Sequence, residues 1–379
     1  MINVFQPSLG KAELDAIAEV LATNWLGHGP RTSAFEEEFA QHVGARPDQV
    51  MFLNSCTSGL FLAMELLDIG PGDEVVLPSI SFVAAGNAIA AAGATPVFCD
   101  VDVRTLNPSA EQVASRCTER TKAVLVLHYG GYPGDIAGIA ELCRERGIPL
   151  VEDAACAVSS RVGDTACGTF GDIAMWSFDA MKVLVTGDGG MLYVRDTELM
   201  ERARRLAYHG LERASGFSGA KVSERWWDLN VTGHARRLIG NDLTAAIGRV
   251  QLERLPEFVD RRAGIHAFYD RELADVPGLR LPPALPKGHT TSGYFYWVQM
   301  DAEHRDRVAA DLRDAGVYTT FRYPPLHLVE AFRPAEPTHL PNTEAAAEET
   351  LCLPIHQGLS DTDLSTVVTA LRAALEARR

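Results

Sequence analysis

Six short apolar runs in the first half of the chain predict six β-strands. The runs are continuous rather than alternating, a pattern typical of parallel strands that are covered on both faces. They lie at 50–54 (VMFLN), 74–78 (EVVLP), 95–100 (TPVFCD), 122–129 (KAVLVLHY), 148–153 (IPLVED) and 172–178 (DIAMWSF). We therefore expect a mainly parallel central sheet that is buried on both faces.

Segments with helical periodicity separate these runs. TSGLFLAMELL (57–67) follows the first strand, and a segment that starts near residue 134 has near-helical apolar spacing and stops at Gly147. The alternation of strand and helix predicts an α/β fold.

The pattern changes at about residue 242, where a long helical period continues despite Pro256. The elements after it are a proline-rich loop (281–289), a strand (294–300), a helix (302–315) and a final helix. We interpret this part as a smaller α+β domain at 246–379. The long helix joins it to a large domain at 1–245 that includes an N-terminal segment.

Composition narrows the possible partners and compartment. The 379-residue chain has a formal net charge of -15, which argues against nucleic acid or an anionic membrane as the main partner. Its seven cysteines are odd in number and have no CxxC spacing, so we expect free thiols, no zinc knuckle and a cytoplasmic location. No signal peptide and no membrane-spanning segment are expected.

Three polar stretches are expected at the carboxyl ends of the strands, where doubly wound sheets bind ligands. Thr57 and Ser58 stand at a helix start, where they either hold a phosphate or only cap the helix. Asp153 ends a buried strand, either as a cap or as the partner of a cationic ligand atom. Ser177 ends the next strand, and Lys182 after it is either a solvated turn residue or an amine that a carbonyl cofactor binds covalently.

Taken together, the three stretches favour roles in ligand binding over helix capping or a solvated turn. A phosphate cradle, a carboxylate and an amine at one sheet edge are the groups that pyridoxal phosphate requires. The carboxylate keeps the pyridine nitrogen protonated, which makes the ring an electron sink. Phe82 is placed to cover the face of that ring.

With these motifs the chain resembles the DegT/StrS family of pyridoxal-phosphate-dependent nucleotide-sugar aminotransferases, a branch of fold-type I. The resemblance extends over nearly the whole chain, in the same order. Matching blocks include NWLGHGP (24–30), NSCTSGLFLAM (54–64), VEDAAC (151–156), GTFGDIAMWSFDAMKVLVTGDGGML (168–192) and DLTAAIGRVQLERL (242–255).

The resemblance implies roles for the polar residues already named. Lys182 would bind the cofactor covalently and carry the proton between cofactor and substrate carbons, and Asp153 would pair with the pyridine nitrogen. The other implied cofactor contacts are Thr57, Ser58 and Ser177 at the phosphate and Phe82 over the ring. Family members are homodimers with shared active sites, so Asn241 is the candidate that reaches the phosphate of the partner subunit.

Two positions depart from the family pattern. Cys156 stands near the 3-hydroxyl of the cofactor where the family often has glutamine or histidine, and a thiol donates more weakly. Asp179 replaces a histidine in the segment before the lysine. Both departures would tune the cofactor environment.

The implied reaction moves an amino group from L-glutamate to a nucleotide-linked keto-deoxysugar. SCTSGLFLAMELLDIGPGDEV (55–75), LHYGG (127–131) and RWWDL (225–229) resemble members that aminate C4 of dTDP-4-keto-6-deoxyglucose. C3 amination of a dTDP-3-keto-sugar and amination of a keto-cyclitol are the alternatives. A dehydratase is less expected, because related sugar dehydratases replace the lysine that is present here as Lys182.

Candidates for the substrate pocket come from loops, and each of them could equally be a packing or surface residue. They are Trp25, Gly29, Arg236 (or its neighbour Arg237), Tyr323 and His327. Two classes without catalysis stay open as well: a regulator that kept the fold and a protein that only binds nucleotide sugars. A regulator of this kind would have lost Lys182 or Asp153, and this chain has both.

Overall fold

The computed structural model describes residues 1–212, 225, 227–228, 230–333 and 337–377. Its α-helices are α1 (Lys11–Ala22), α2 (Pro30–Val43), α3 (Cys56–Leu66), α4 (Val83–Ala91), α5 (Ala110–Ala114), α6 (Ile136–Arg146), α7 (Thr197–Ala207), α8 (Asp242–Leu273), α9 (Ala302–Asp314), α10 (Pro341–Glu349) and α11 (Asp361–Glu376). Its strands are β1 (Val50–Leu53), β2 (Glu74–Pro78), β3 (Thr95–Cys99), β4 (Thr121–Leu127), β5 (Leu150–Asp153), β6 (Arg161–Val162), β7 (Thr165–Ala166), β8 (Ile173–Ser177), β9 (Gly190–Val194), β10 (His289–Thr290), β11 (Tyr296–Gln299) and β12 (Thr350–Leu353).

The central sheet has seven strands in the order β1-β9-β8-β5-β4-β2-β3. The pairs from β8 through β5, β4 and β2 to β3 are parallel, and β9 is antiparallel to both of its neighbours. The six predicted strands and the mainly parallel sheet are confirmed. β9 was not predicted. Its short apolar run carries no sign of strand direction, which is set only by its pairing with β1 and β8.

Helices cover both faces of this sheet. Phe52 of β1 and Trp176 of β8 point into a core shared with α2 and α8, whereas Leu53 and Met175 point into a core shared with α3, α4 and α7. Successive strand residues alternate between faces, so both faces must be apolar to be covered. The continuous apolar runs in the sequence therefore have a direct structural cause.

The C-terminal part builds a separate hydrophobic cluster. β11 pairs antiparallel with β12, and α9 and α11 pack around them together with the last turns of α8. The predicted long helix, strand, following helix and final helix are all present, and α8 contains Pro256. The domain division between residues 245 and 246 stays a prediction.

Two expectations from composition can be compared with the structure. All seven cysteines are free thiols, as predicted. Within the described ranges, none of the helices has the length and apolar character needed to cross a membrane. The cytoplasmic location stays a prediction.

Candidate active site

A cavity of about 400 Å³ opens where β5 and β8 end and α3 begins. This volume lies within the range of about 300–1,000 Å³ that is common for small-molecule sites. The predicted residues that line the cavity are Thr57, Phe82, Asp153, Ser177, Lys182 and Tyr323. The fold thus brings together the phosphate, carboxylate and amine stretches that were predicted to share one sheet edge.

Lys182 projects from the loop between β8 and β9. Its backbone N–H donates to the carbonyl of Asp179 at 2.9 Å, which closes a tight turn. Its Nζ lies 4.5 Å from the centroid of the Tyr294 ring and 3.9 Å from the Cys156 sulfur. Burial lowers the pKa of the amine, but the acidic groups around it, led by Cys156 and Tyr294, raise that pKa well above its ordinary value. Nζ is thus held beside the cavity by a thiol and an aromatic ring.

Asp153 ends β5, and its carboxylate is buried at the floor of the cavity. The Ala155 backbone N–H donates to its Oδ1 at 3.1 Å. Burial raises the pKa of the Asp153 carboxyl, while that N–H and the nearby Lys182 oppose the shift. No described residue forms an ion pair with it, so a cationic ligand atom would find an uncompensated acceptor here.

The N-terminus of α3 faces the same cavity. Ser55 is the N-cap, and its hydroxyl oxygen accepts the Ser58 backbone N–H at 3.1 Å. Ser58 donates its own hydroxyl to Asn54 Oδ1 at 2.7 Å and does not line the cavity, whereas Thr57 does. The first turn of a helix leaves backbone N–H groups without intrahelical partners, which makes this end an anion site.

Close approach of two backbones shapes this anion site. A Cβ on Gly190, the first residue of β9, would lie 2.5 Å from the backbone nitrogen of Cys56. Only glycine allows the strand to pass so near the helix start. The contact leaves no space between the two backbones and holds the start of α3 at the edge of the cavity, where Cys56 and Gly189 line it.

Aromatic rings also line and border the cavity. Phe82 is 46% exposed, and its ring centroid lies 5.5 Å from that of the buried Tyr323. Tyr294 stacks on Phe5 with centroids 5.2 Å apart and an interplanar angle of 9°. A flat ligand ring would therefore find Phe82 open to it at the rim of the cavity.

The two departures from the family pattern also lie at the site. Cys156 does not line the cavity but is in contact with the amine of Lys182. Asp179 lines the cavity, and its Oδ1 accepts the Met181 backbone N–H at 3.0 Å. Asp179 thus stabilises the lysine loop, which a carboxylate can do without touching a ligand.

Three predicted residues lie outside the cavity, near the N-terminus of α8. Trp25 is exposed and donates its indole N–H to the carbonyl of His28 at 3.1 Å. Gly29 packs so closely that a Cβ there would lie 2.6 Å from Asp242 Oδ2. Asn241 is the N-cap of α8. Their roles in cofactor or substrate binding stay predictions.

Arg236 and His327 also lie away from the cavity lining. Arg236 forms an ion pair with Glu65. His327 is buried, with Nδ1 2.7 Å from the Ser79 hydroxyl and Nε2 3.3 Å from a Glu344 carboxylate oxygen. Their substrate roles stay predictions as well. Of the RWWDL segment, positions 226 and 229 lie outside the described residues.

Ser55, Tyr294 and Arg322 line the cavity but were not among the predicted site residues. Ser55 could have been found from its place immediately before the helix start, the usual N-cap position. Tyr294 and Arg322 lie in the C-terminal third and carry no local signal of function. Only the packing of that part against the sheet edge brings them to the lysine.

Comparisons with known proteins agree with this geometry. The model of the DegT/DnrJ/EryC1/StrS aminotransferase family matches residues 7–372. The chain belongs to this family. It is an aminotransferase, and the predicted family and fold class are confirmed.

Individual members of the family extend over the full length of the chain. It is 61% identical over 376 residues to dTDP-4-dehydro-2,3,6-trideoxy-D-glucose 4-aminotransferase of Saccharopolyspora spinosa, covering 99% of this chain and 97% of the relative. The crystal structure of the aminotransferase TlmJ from Streptoalloteichus hindustanus is 62% identical, with a TM-score of 0.95 and full coverage of both chains. The PMP-form of Spr1654 from Streptococcus pneumoniae is 25% identical, with a TM-score of 0.92 and full coverage of both.

Proposed function

We propose that this aminotransferase uses pyridoxal phosphate to transfer the amino group of L-glutamate to C4 of a dTDP-linked 4-keto-deoxysugar. The observation that carries the proposal is the convergence of Lys182, Asp153 and the start of α3 on one cavity. The 61% identical relative supports C4 of a dTDP sugar as the acceptor. The PMP-form of Spr1654 supports the cofactor.

The residues present fit pyridoxal phosphate. The uncompensated carboxylate of Asp153 suits a protonated pyridine nitrogen, and such a partner would lower the raised pKa of that carboxyl. The start of α3 suits a phosphate, because its first backbone N–H groups lack intrahelical partners and Thr57 and Ser177 line the cavity beside it. When bound, the cofactor supplies an aldehyde that takes up amines and a ring that delocalises electrons.

The cavity residues that would contact the cofactor or Lys182 then have defined tasks. The hydroxyls of Thr57 and Ser177 and the first N–H groups of α3 would hold the phosphate. Asp153 would hold the nitrogen end of the ring, and Phe82 would cover one face. Tyr294, which lies against the lysine amine, restricts where Nζ can move.

Lys182 is the proton carrier in this proposal. Its Nζ takes the α-proton of the amino donor in the first half-reaction. In the second half-reaction it delivers a proton to the sugar carbon that gains the amine. Because the amine is held between Cys156 and Tyr294, it can act on both substrates from one position.

The sugar carbon that receives the amino group is the most specific part of the proposal. The relative named above acts at C4 of a 2,3,6-trideoxy sugar, which favours C4 over the C3 and keto-cyclitol alternatives. Two C4 acceptors deserve comparison: dTDP-4-keto-2,3,6-trideoxyglucose and dTDP-4-keto-6-deoxyglucose. They differ in hydroxyl groups, and buried polar groups that recognise a hydroxyl discriminate strongly against its absence.

A spectroscopic experiment tests the proposal. Wild type, Lys182→Ala and the exposed-lysine control Lys11→Ala are loaded with pyridoxal phosphate and titrated with glutamate. We expect wild type and the control to show a visible band that glutamate abolishes and that one of the dTDP-4-keto sugars restores. Lys182→Ala should lack this turnover. A wild-type band that does not respond to glutamate would remove the basis for glutamate as donor.

A further inference from the structure

Arg322 brings a second cation to the cavity of Lys182. It lines the cavity beside Tyr323, with its side chain half-buried. Among the residues that the structure describes, no carboxylate forms an ion pair with it. By contrast, the half-buried Arg249 is paired with Glu38 at 2.6 Å.

Aromatic stacking holds Arg322 on the same wall as the lysine. Its guanidinium carbon lies 4.9 Å from the centroid of the Phe5 ring. Phe5 stacks on Tyr294, and the Tyr294 ring lies under Nζ of Lys182. The two cations are therefore fixed relative to each other by two stacked rings.

The contacts of Arg322 do not satisfy its hydrogen-bonding capacity. Its only hydrogen-bond contact with a described side chain is the Met181 sulfur at 3.8 Å, and a thioether is a weak acceptor. The guanidinium presents five N–H donors in a planar fork that matches a carboxylate. A half-buried group of this kind, facing a cavity, is suited to an anionic ligand.

We propose that Arg322 binds the α-carboxylate of the amino-acid donor. The proposal rests on the aminotransferase function above, because it places the donor's amino group at Lys182. The α-carboxylate is bonded to the carbon that carries this amino group, so it must lie close to Nζ. A cation on the same wall meets that requirement.

The acceptor sugar has no comparable anion near its reacting carbon. In a dTDP-4-keto sugar the diphosphate is attached at C1, across the ring from C4. An anion-binding group beside the lysine therefore fits the amino acid better than the nucleotide. Arg322 would serve the first half-reaction and leave nucleotide binding to other residues.

The test compares Arg322→Gln and Arg322→Lys with Arg271→Gln, an exposed arginine on α8 that pairs with Glu272. Each holoenzyme is titrated with glutamate while its visible band is followed. Binding of thymidine diphosphate is measured separately by calorimetry. Cofactor affinity and thermal unfolding show whether the variants are folded and loaded.

We expect Arg322→Gln to raise the half-saturating glutamate concentration by about 10-fold to 100-fold, the loss typical of a charge-assisted hydrogen bond. Arg322→Lys should recover part of the lost glutamate affinity, since an ammonium keeps the positive charge but not the planar fork of N–H donors. Thymidine diphosphate affinity and the cofactor band should not change. Arg271→Gln should match wild type.

Two results overturn the assignment without touching the proposed function. Wild type and Arg322→Gln could respond to glutamate equally, or Arg322→Gln could lose thymidine diphosphate binding and keep its glutamate response. In the second case the arginine serves the diphosphate. If wild type itself does not respond to glutamate, both the proposed donor and the role of Arg322 are wrong.

Discussion

The buried carboxylate of Asp153 shows how a binding site is built at a cost to the free protein. Its pKa is raised by burial, and no cation among the described residues pairs with it. An uncompensated buried charge destabilises a fold, so such a group indicates a ligand that completes it. The same residue then favours the protonated form of the ligand atom it meets.

Asp153→Asn should therefore have opposite effects on the free and loaded protein. Transamination should fall by about 10²-fold to 10³-fold, because a charge aimed at the reacting ring is lost. The cofactor-free variant should be at least as stable as wild type at neutral pH. Steady-state rates and urea unfolding with and without cofactor measure the two effects.

The pH dependence of stability provides the control for Asp153→Asn. Burial raises the pKa of the Asp153 carboxyl in the folded state. The fold therefore has its full stability at low pH, where this carboxyl is protonated, and loses stability as the pH rises through that folded-state pKa and the carboxyl ionises. Cofactor-free wild type should thus lose stability over that range relative to the variant. A variant that is less stable than wild type at every pH would contradict the argument.

The approach of β9 to α3 is the contact between elements that positions the proposed phosphate site. Gly190 pairs with Ser177 of β8 on one side and with Leu53 of β1 on the other. The strand therefore cannot move away from the helix start without breaking the sheet. A side chain at this position must displace α3 instead.

Gly190→Ala should disturb this contact. The added Cβ would stand 2.5 Å from the Cys56 nitrogen, so we expect a loss of about 1–3 kcal/mol in the free energy of unfolding. Cofactor affinity should fall as well, because the displaced group is a backbone N–H of the anion site. Thermal unfolding and cofactor titration measure these effects.

Gly264→Ala is the matched substitution for Gly190→Ala. This glycine lies within α8, and nothing stands within 4 Å of the position that a Cβ would take. Alanine favours a helix over glycine by up to about 1 kcal/mol, so stability should rise slightly. If both substitutions had the same effect on cofactor affinity, the start of α3 would not be the phosphate site.

At the scale of the whole molecule, Trp25, Gly29 and Asn241 lie together around the N-terminus of α8 and outside the cavity. Trp25 is 57% exposed there and Leu26 is 47% exposed. We propose that this surface packs against a second copy of the chain and brings Asn241 to the phosphate of the partner. This keeps the predicted homodimer and shared active sites as a proposal.

Mixing two inactive variants tests the shared site. Asn241→Asp keeps the oxygen that caps α8, where Asn241 Oδ1 accepts the Thr244 N–H at 3.0 Å, but replaces the amide donor with a negative charge. If Asn241 serves the partner, unfolding and refolding Asn241→Asp with Lys182→Ala should form mixed dimers with one intact site. Activity should then appear that neither variant has.

The same mixture without refolding, and each variant refolded by itself, are the controls for this experiment. Light scattering establishes the oligomeric state before and after mixing. Persistent inactivity of a proven mixed dimer would show that Asn241 acts within its own subunit or not at all.

Local pattern sufficed for much of this protein. Continuous apolar runs predicted the six parallel-sheet strands, because burial of both faces requires apolar residues at every position. The same reasoning placed Thr57, Asp153, Ser177 and Lys182 at one edge, since the carboxyl ends of parallel strands share an edge. Family motifs then predicted the chemistry that the cavity supports.

Packing between distant segments decided the rest. The direction of β9 depends on its two neighbours, and Tyr294, Arg322 and Phe5 reach Lys182 only when the C-terminal part and the N-terminal segment pack on the sheet edge. A sequence pattern reports burial and local conformation, because these depend on the residues nearby. It does not report which distant side chains meet, because that depends on how whole elements fit together.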